Sequence, residues 1–546
     1  MEGKTVTTEQ AFELALQHHQ AGRLAEAEAL YRQILAVQPN HADALHLLGV
    51  VAHQAGKNDV AVGLIRQALA LLPDAPEIHS NLGEAYRALG QLDEAIAACR
   101  QAIALRPNHP EAYSNLGNSL RDNGQLDEAV AAYRQAIALR PNLPKACNNL
   151  GAALQEKGQL DEAIAAYRHA LALKFNYPQA HNNLGVALKD RGQLDEAITA
   201  YHQAIALQPD YAEASYNLGL ALRDKGQLDE AIAAFRRAIV IQPNFPEAHN
   251  NLGNALLAKG QLDQAIAEYR EATALKPHYP EAHSNLGNAL RDKGHLDEAI
   301  VAHRRAISLK PNYPEAYSNL GAALKNRGRL DEALTAYCQA IALKPDYAEA
   351  HYNLGNALLE KGRFDEAIAA YRQAIVLGPN YPVAHNNLGN ALFEKDQLDE
   401  ALTEYRQAIV LQPNYGEAYS NMGMALKDKG QLDEGIAAYR RAIALKPNYP
   451  EAGSNLVLAL HYHPGFDARA IAGELDRWNR QHAEPWRQFI QPHLNDPTPS
   501  RRLRIGYVSP DFREHAVGRF LVPLLAQHDH QNFEIFAMPR CPSPMT

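Results

Sequence analysis

The sequence predicts an all-α protein, a superhelical solenoid of helical hairpins that carries a short C-terminal α/β fragment. Three observations predict it. An Asn-Leu pair recurs every 34 residues, each interval holds two stretches of helical apolar spacing separated by a glycine, and from residue 503 onward the period gives way to β-rich runs.

The stretch Pro110 to Leu143, PEAYSNLGNSLRDNGQLDEAVAAYRQAIALRPNL, sets the pattern. With Pro110 as slot 1, Ala112, Tyr113, Leu116, Ser119 and Leu120 form one apolar face. Ala129, Val130, Tyr133, Ala136 and Ile137 form a second. Each unit is therefore a pair of antiparallel helices. Pro110 suits a first helical turn, Gly124 marks the bend, Asp127 and Glu128 sit at the positive end of the second helix, and Pro141 stops it. Small Gly117 and Ala129 fit a close helix crossing. A lone hairpin leaves apolar surface bare, so neighbours must stack, and stacking with a constant offset winds a long superhelix. The period, with Tyr113, Leu116, Gly117, Leu120, Ala129, Tyr133, Ala136 and Pro141 at slots 4, 7, 8, 11, 20, 24, 27 and 32, resembles the tetratricopeptide-repeat signature.

Residues 1–7 read as an N-terminal tail and 8–449 as thirteen repeats. The first two are atypical, as terminal units with one wet face usually are, and Leu47 stands where later units place the asparagine. From Pro76 to Tyr449 the register holds without insertion, with Phe175 in place of the terminating proline and Gly435 in the slot of Ala129. Residues 450–482 read as a degenerate repeat and capping helix: Val457 replaces the slot-8 glycine, and helical spacing resumes over Phe466 to His482. The stretch 483–502, rich in Pro, Asp and Asn, reads as a linker. In 503–546, LRIGYVS (Leu503 to Ser509) reads as a strand, Phe520 to Asp529 as a helix and Phe533 to Ala537 as a second strand, the opening of an α/β domain.

Composition narrows the function classes. Lys and Arg total 53 against 62 Asp and Glu, a net charge of −9 with both signs interleaved, which argues against nucleic acid as a partner. No apolar run approaches the roughly 20 residues of a membrane span, and the N-terminus lacks the order of a signal peptide, so a cytoplasmic location without membrane association is expected. The four cysteines, Cys99, Cys147, Cys338 and Cys541, show neither metal-ligand nor paired-thiol spacing.

The candidate binding residues are the slot-6 asparagines Asn81, Asn115, Asn149, Asn183, Asn217, Asn251, Asn285, Asn319, Asn353, Asn387, Asn421 and Asn455. In tetratricopeptide repeats the first helix lines the concave side, and slots 2, 5, 6, 9, 12 and 13 lie off its apolar face. A carboxamide there can pair with any peptide group, so a row of them would hold an extended polypeptide by its backbone. Alternatively, the same asparagines bridge adjacent hairpins, and both roles can coexist. Slot 5 carries Ser, Asn and Tyr but no lysine, which argues against the carboxylate clamp of tetratricopeptide co-chaperones. The slot-4 histidines His79, His181, His249, His283, His351 and His385 read as half-buried substitutes for Tyr113 and Tyr317. First helices stacked about 10 Å apart cannot bring them within the roughly 2 Å that zinc requires, so no metal site is expected.

The string GYVSPDFREHAVGRF (506–520), with the preceding RWNRQHAEP, resembles the start of the catalytic region of the O-GlcNAc-transferase and Spindly-like glycosyltransferases, which follows a long tetratricopeptide array. The resemblance implies a Rossmann-like lobe beginning at 503, a catalytic role for His515 and a loop acid at Asp511. It implies UDP-GlcNAc as donor only where a full two-lobed catalytic domain is supplied, and the family's second lobe has no counterpart here. The leading expectation is a protein- or peptide-binding scaffold, the substrate-recognition arm of an O-GlcNAc-transferase-like protein, truncated or frameshifted, inactive as given and without a cofactor. The alternatives are a protein O-GlcNAc transferase acting through a fuller form, and a general scaffold for multiprotein assembly. The convex faces leave room for a homodimer through the repeats.

Overall fold

The computed structural model describes residues 7–489, 503–508 and 533–538. The chain divides into two compact units, Met1–Lys395 and Asp396–Thr546. In the first, helices of 13 and 14 residues alternate, as in Pro110–Asp122 and Leu126–Leu139, and each packs on its neighbours in chain order.

Local chemistry accounts for the helix ends. Pro110 opens its helix while the His109 ring accepts a bond from the Ala112 amide at 3.1 Å. Gly124 takes φ +77 in the turn, a conformation open to glycine at no steric cost. At the same slot Asp396 stands alone as a non-glycine at φ +60 among the described residues.

The core of each hairpin is a ring set against a glycine. Tyr133 is fully buried, as are Tyr167, Tyr201, Phe235 and Tyr269 in the same slot of later repeats. A Cβ placed on Gly117 would come within 2.7 Å of the Tyr133 ring. The nearest neighbour of Gly117 is thus the Tyr133 ring. At Gly83 the backbone also closes in, with Ala95 O 3.1 Å from the would-be Cβ.

Ion pairs join one repeat to the next. Asp127 and Glu128, beyond complementing their helix dipole, reach Lys157 at 2.5 Å and Arg100 at 2.9 Å, and Arg134 meets Glu162 at 2.7 Å. Each exposed pair contributes at most about 1 kcal/mol. Their recurrence fixes register more than strength.

In the second unit the helices Leu398–Leu411, Gly416–Asp428, Leu432–Leu445 and Pro450–Tyr462 continue the alternation, and Ala468–His482 packs on the last of them. The Trp478 ring fills the space above Gly453, and its indole N–H donates to the Pro450 carbonyl at 3.1 Å. This helix starts at Ala468, two residues later than the apolar spacing suggested. Asp467 takes the N-cap, accepting from the Ala470 amide at 2.8 Å, and Phe466 stays outside to pack on His463. Within the stretch read as linker, Glu484–Phe489 forms a 3₁₀ helix. Strands β1 (Leu503–Val508) and β2 (Phe533–Met538) pair in parallel, Leu503 opposite Phe533. The helix expected over Phe520 to Asp529, with Asp511, His515 and Cys541, lies outside the described residues. Among the described residues no helix is long and apolar enough to cross a membrane.

Candidate functional site

All twelve slot-6 asparagines lie on first helices, and all are half-buried. Most of those in the first unit bridge repeats. The Nδ2 of Asn115 donates to Ser80 Oγ at 3.2 Å, that of Asn183 to Asn148 Oδ1 at 3.1 Å, and that of Asn217 to Asn182 Oδ1 at 3.0 Å. Asn251 donates to the Tyr216 hydroxyl at 2.9 Å and Asn285 to Asn250 Oδ1 at 3.0 Å. Asn81 meets the His46 ring at 2.8 Å, where burial holds the imidazole below its usual pKa against the raising effect of Asp43 and Glu77.

These partners occupy slot 5, which the sequence reading placed on the open face. The structure corrects this: Ser80, Asn148, Asn182, Asn250, Ser284 and Ser318 are buried. The next first helix lies over them, so their polar atoms need an internal partner, and the slot-6 carboxamide supplies it.

The bridging leaves binding capacity. A carboxamide has two N–H donors and an acceptor oxygen. At Asn115, Asn183 and Asn217 one N–H is engaged, while the oxygen and the second N–H carry no further hydrogen bond within the described residues. Asn149 Nδ2 turns instead to Asn118 Oδ1 at 2.9 Å.

A second network lies beneath. Where slot 9 is asparagine, the buried slot-24 tyrosine donates to it: Tyr133 to Asn118 at 2.7 Å, Tyr269 to Asn254 at 2.7 Å, Tyr371 to Asn356 at 2.8 Å. Where slot 9 is Leu16, Val186, Ala322 or Met424, the hydroxyls of Tyr31, Tyr201, Tyr337 and Tyr439 have no partner among the described residues. Repeat 9 breaks the pattern from the other side. His303 replaces the tyrosine, and both its ring nitrogens and Asn288 Oδ1 are buried without partners. The sequence reading missed this pairing, although the fixed spacing of 15 residues between slots 9 and 24 carried the signal.

Three successive first helices enclose a cleft of about 660 Å³. Asn81, Asn115 and Asn149 line it, with Asn118, Arg140 and Lys145 among the flanking residues. The cleft can offer hydrogen bonds at one-repeat intervals.

The slot-4 histidines do not converge. His79, His181, His283 and His351 each turn a ring N–H to the carbonyl of the residue six before, at 2.8 to 3.1 Å, and His249 meets Glu268 at 2.7 Å. His181, His249 and His385 are buried, deeper than the half-burial expected of them. Among the described residues no group of three His, Cys, Asp or Glu could hold a metal ion. Cys99 and Cys147 are buried, and burial pushes the Cys99 thiol up to about 12, while Cys338 is exposed and unpaired.

Family models match along the array. The TPR repeat model covers 83–120, 117–158, 153–190 and 187–223, a tetratricopeptide repeat model covers 12–76 and 386–450, and that of the cilia and flagella-associated protein 70 C-terminal domain covers 211–417. The chain belongs to the tetratricopeptide-repeat proteins, and its repeat region is an all-α solenoid of that family. No curated protein matches it. Solved structures similar to it include the APC/C hetero-tetramer Cut9-Hcn1, at 14% identity and TM-score 0.44 over 83% of this chain and 96% of that one. MamA follows at 31% identity and TM-score 0.29, over 30% of this chain and 95% of that one. YrrB, described as a TPR protein with an unusual peptide-binding site, has 24% identity and TM-score 0.31 over 34% and 96%.

Proposed function

We propose that this chain is a protein-binding repeat scaffold that takes extended polypeptide segments along the face carrying its slot-6 asparagines. The observation behind the reading is the cleft over Asn81, Asn115 and Asn149, together with the unspent N–H and oxygen at Asn115, Asn183 and Asn217. A peptide group needs one acceptor and one donor, and each of these carboxamides offers both. Backbone pairing of this kind tolerates any side chain, which suits a scaffold with several clients. The test is fluorescence anisotropy with labelled extended peptides against the Asn115→Ala, Asn183→Ala, Asn217→Ala triple variant. Weaker capture with unchanged helix content supports the reading; equal capture removes it.

A second reading, that the array is the substrate-recognition arm of a glycosyltransferase resembling O-GlcNAc transferase, is favoured by GYVSPDFREHAVGRF and by the parallel pairing of β1, which holds the first three residues of that string, with β2. Parallel neighbours require a crossover connection, as an α/β lobe has. Labelled UDP-GlcNAc, offered with a captured peptide to the chain, should give no sugar transfer; transfer would assign the activity to this polypeptide itself.

A further inference from the structure

Along the edge of the candidate cleft, slot 2 of each first helix faces slot 31 at the end of the same repeat. Six repeats place an acid against a base there. Glu77 meets Arg106 and Glu111 meets Arg140; Glu247 meets Lys276 at 2.7 Å, Glu281 meets Lys310 at 3.5 Å, Glu315 meets Lys344 at 3.9 Å and Glu417 meets Lys446 at 2.7 Å. The base also lies over the slot-34 tyrosine, as Lys276 does over Tyr279 at 4.8 Å.

The other seven repeats lack this pair, and among them repeat 5 alone carries a base at both slots. Lys174 keeps the pose of its counterparts, 5.1 Å from the Tyr177 ring centroid, but slot 2 is Lys145. Both lysines are exposed and neither makes an ion pair among the described residues. The departure has a cost. Two cations occupy positions that elsewhere hold opposite charges in contact, and Lys145 sits in the first turn of Pro144–Glu156, where the helix dipole disfavours a cation. Local rules are most often broken where function requires it. Lys145 also lines the cleft beside Asn115 and Asn149, so an anion at this edge would belong to whatever lies on the asparagines.

We infer that Lys145 and Lys174 form a carboxylate-binding position that selects an acidic side chain in the polypeptide held along the asparagines, and so set which stretch of a client docks over repeats 4 and 5. This inference rests on the groove reading above and adds a charge preference and a register to it. The carboxylate replaces the missing glutamate of the repeat pattern. It takes the place between two ammonium groups that Glu247 takes beside one.

The test compares fluorescein-labelled twelve-residue glutamate and glutamine oligomers by anisotropy at low salt. The wild-type chain should prefer the glutamate oligomer by about five-fold, the scale of an exposed ion pair. Lys145→Glu restores the residue found in the six paired repeats, so the variant should fold, and it should bind the two oligomers without preference. Arg66→Glu makes the same charge change on a second helix and should keep the preference. A preference that survives in Lys145→Glu, or that Arg66→Glu also abolishes, overturns the inference. Glutamine-oligomer binding without any glutamate preference overturns it and leaves the groove reading standing, whereas binding of neither oligomer overturns both.

Discussion

Replacing His303 with tyrosine should stabilise the protein, and by more in acid than at neutral pH. The ring is fully buried, its two nitrogens have no partners, and Asn288 Oδ1 beside it is orphaned as well. In repeats 4, 8 and 11 a tyrosine hydroxyl in this slot donates to that asparagine oxygen at 2.7 to 2.8 Å. One substitution therefore removes two unpaired nitrogens and supplies the missing donor. An unsatisfied buried polar group costs about 1 to 3 kcal/mol, so a gain of roughly 2 kcal/mol at pH 7.5 is expected. Burial, with a smaller contribution from Arg291, lowers the His303 pKa to about 3. The unfolded chain protonates this ring near its ordinary value of 6.5, whereas the folded chain does not until far lower pH. Stability from the neutral ring is fully present above 6.5 and is lost as pH falls toward 3, at about 1.4 kcal/mol per pH unit. The advantage of His303→Tyr should thus grow by about 1.4 kcal/mol between pH 7.5 and 5.5. Calorimetric melts of both proteins at pH 7.5 and 5.5 read this directly. A lower melting temperature for the variant, or a difference independent of pH, would refute the reasoning.

Other positions respond to the same logic. Ala322→Asn places an acceptor beneath the unpaired Tyr337 hydroxyl and should raise stability by about 1 kcal/mol, visible as a higher melting temperature. Asp396→Gly relieves the left-handed φ of +60 and should also stabilise, by about 1 kcal/mol, in urea titration. Gly117→Ala drives a methyl to within 2.7 Å of the buried Tyr133 ring and should cost about 1 to 3 kcal/mol, with local loss of amide-exchange protection in 110–139.

Much of this fold can be read from the sequence because a 34-residue repeat averages out noise. Proline at slot 1 and glycine at slot 15 recur often enough to fix the ends of the helices. Slot 24 reads as core from spacing alone, and Tyr133 is there at zero exposure. What escapes is whatever depends on the neighbouring repeat. Ser80 and Asn148 look exposed on a single helical wheel, yet the following first helix covers them. Asp127 reads as a dipole complement because its partner Lys157 belongs to the next unit. Trp478 seated over Gly453 could not be foreseen, since the pattern ends at that point. The slot-6 asparagines were legible as a row, and their bridging of hairpins was one of two readings the sequence left open. Capacity for a ligand depends on which atoms the bridges leave unspent, and only geometry gives that.

The central claim, that the first-helix face receives extended polypeptide, is tested most directly by site-specific photocrosslinking. A photoreactive side chain at Asn149, in the cleft, should label a bound extended peptide, while one at Val240, 79% exposed on a second helix, should not. Equal labelling from both positions, or labelling from Val240 alone, would contradict it.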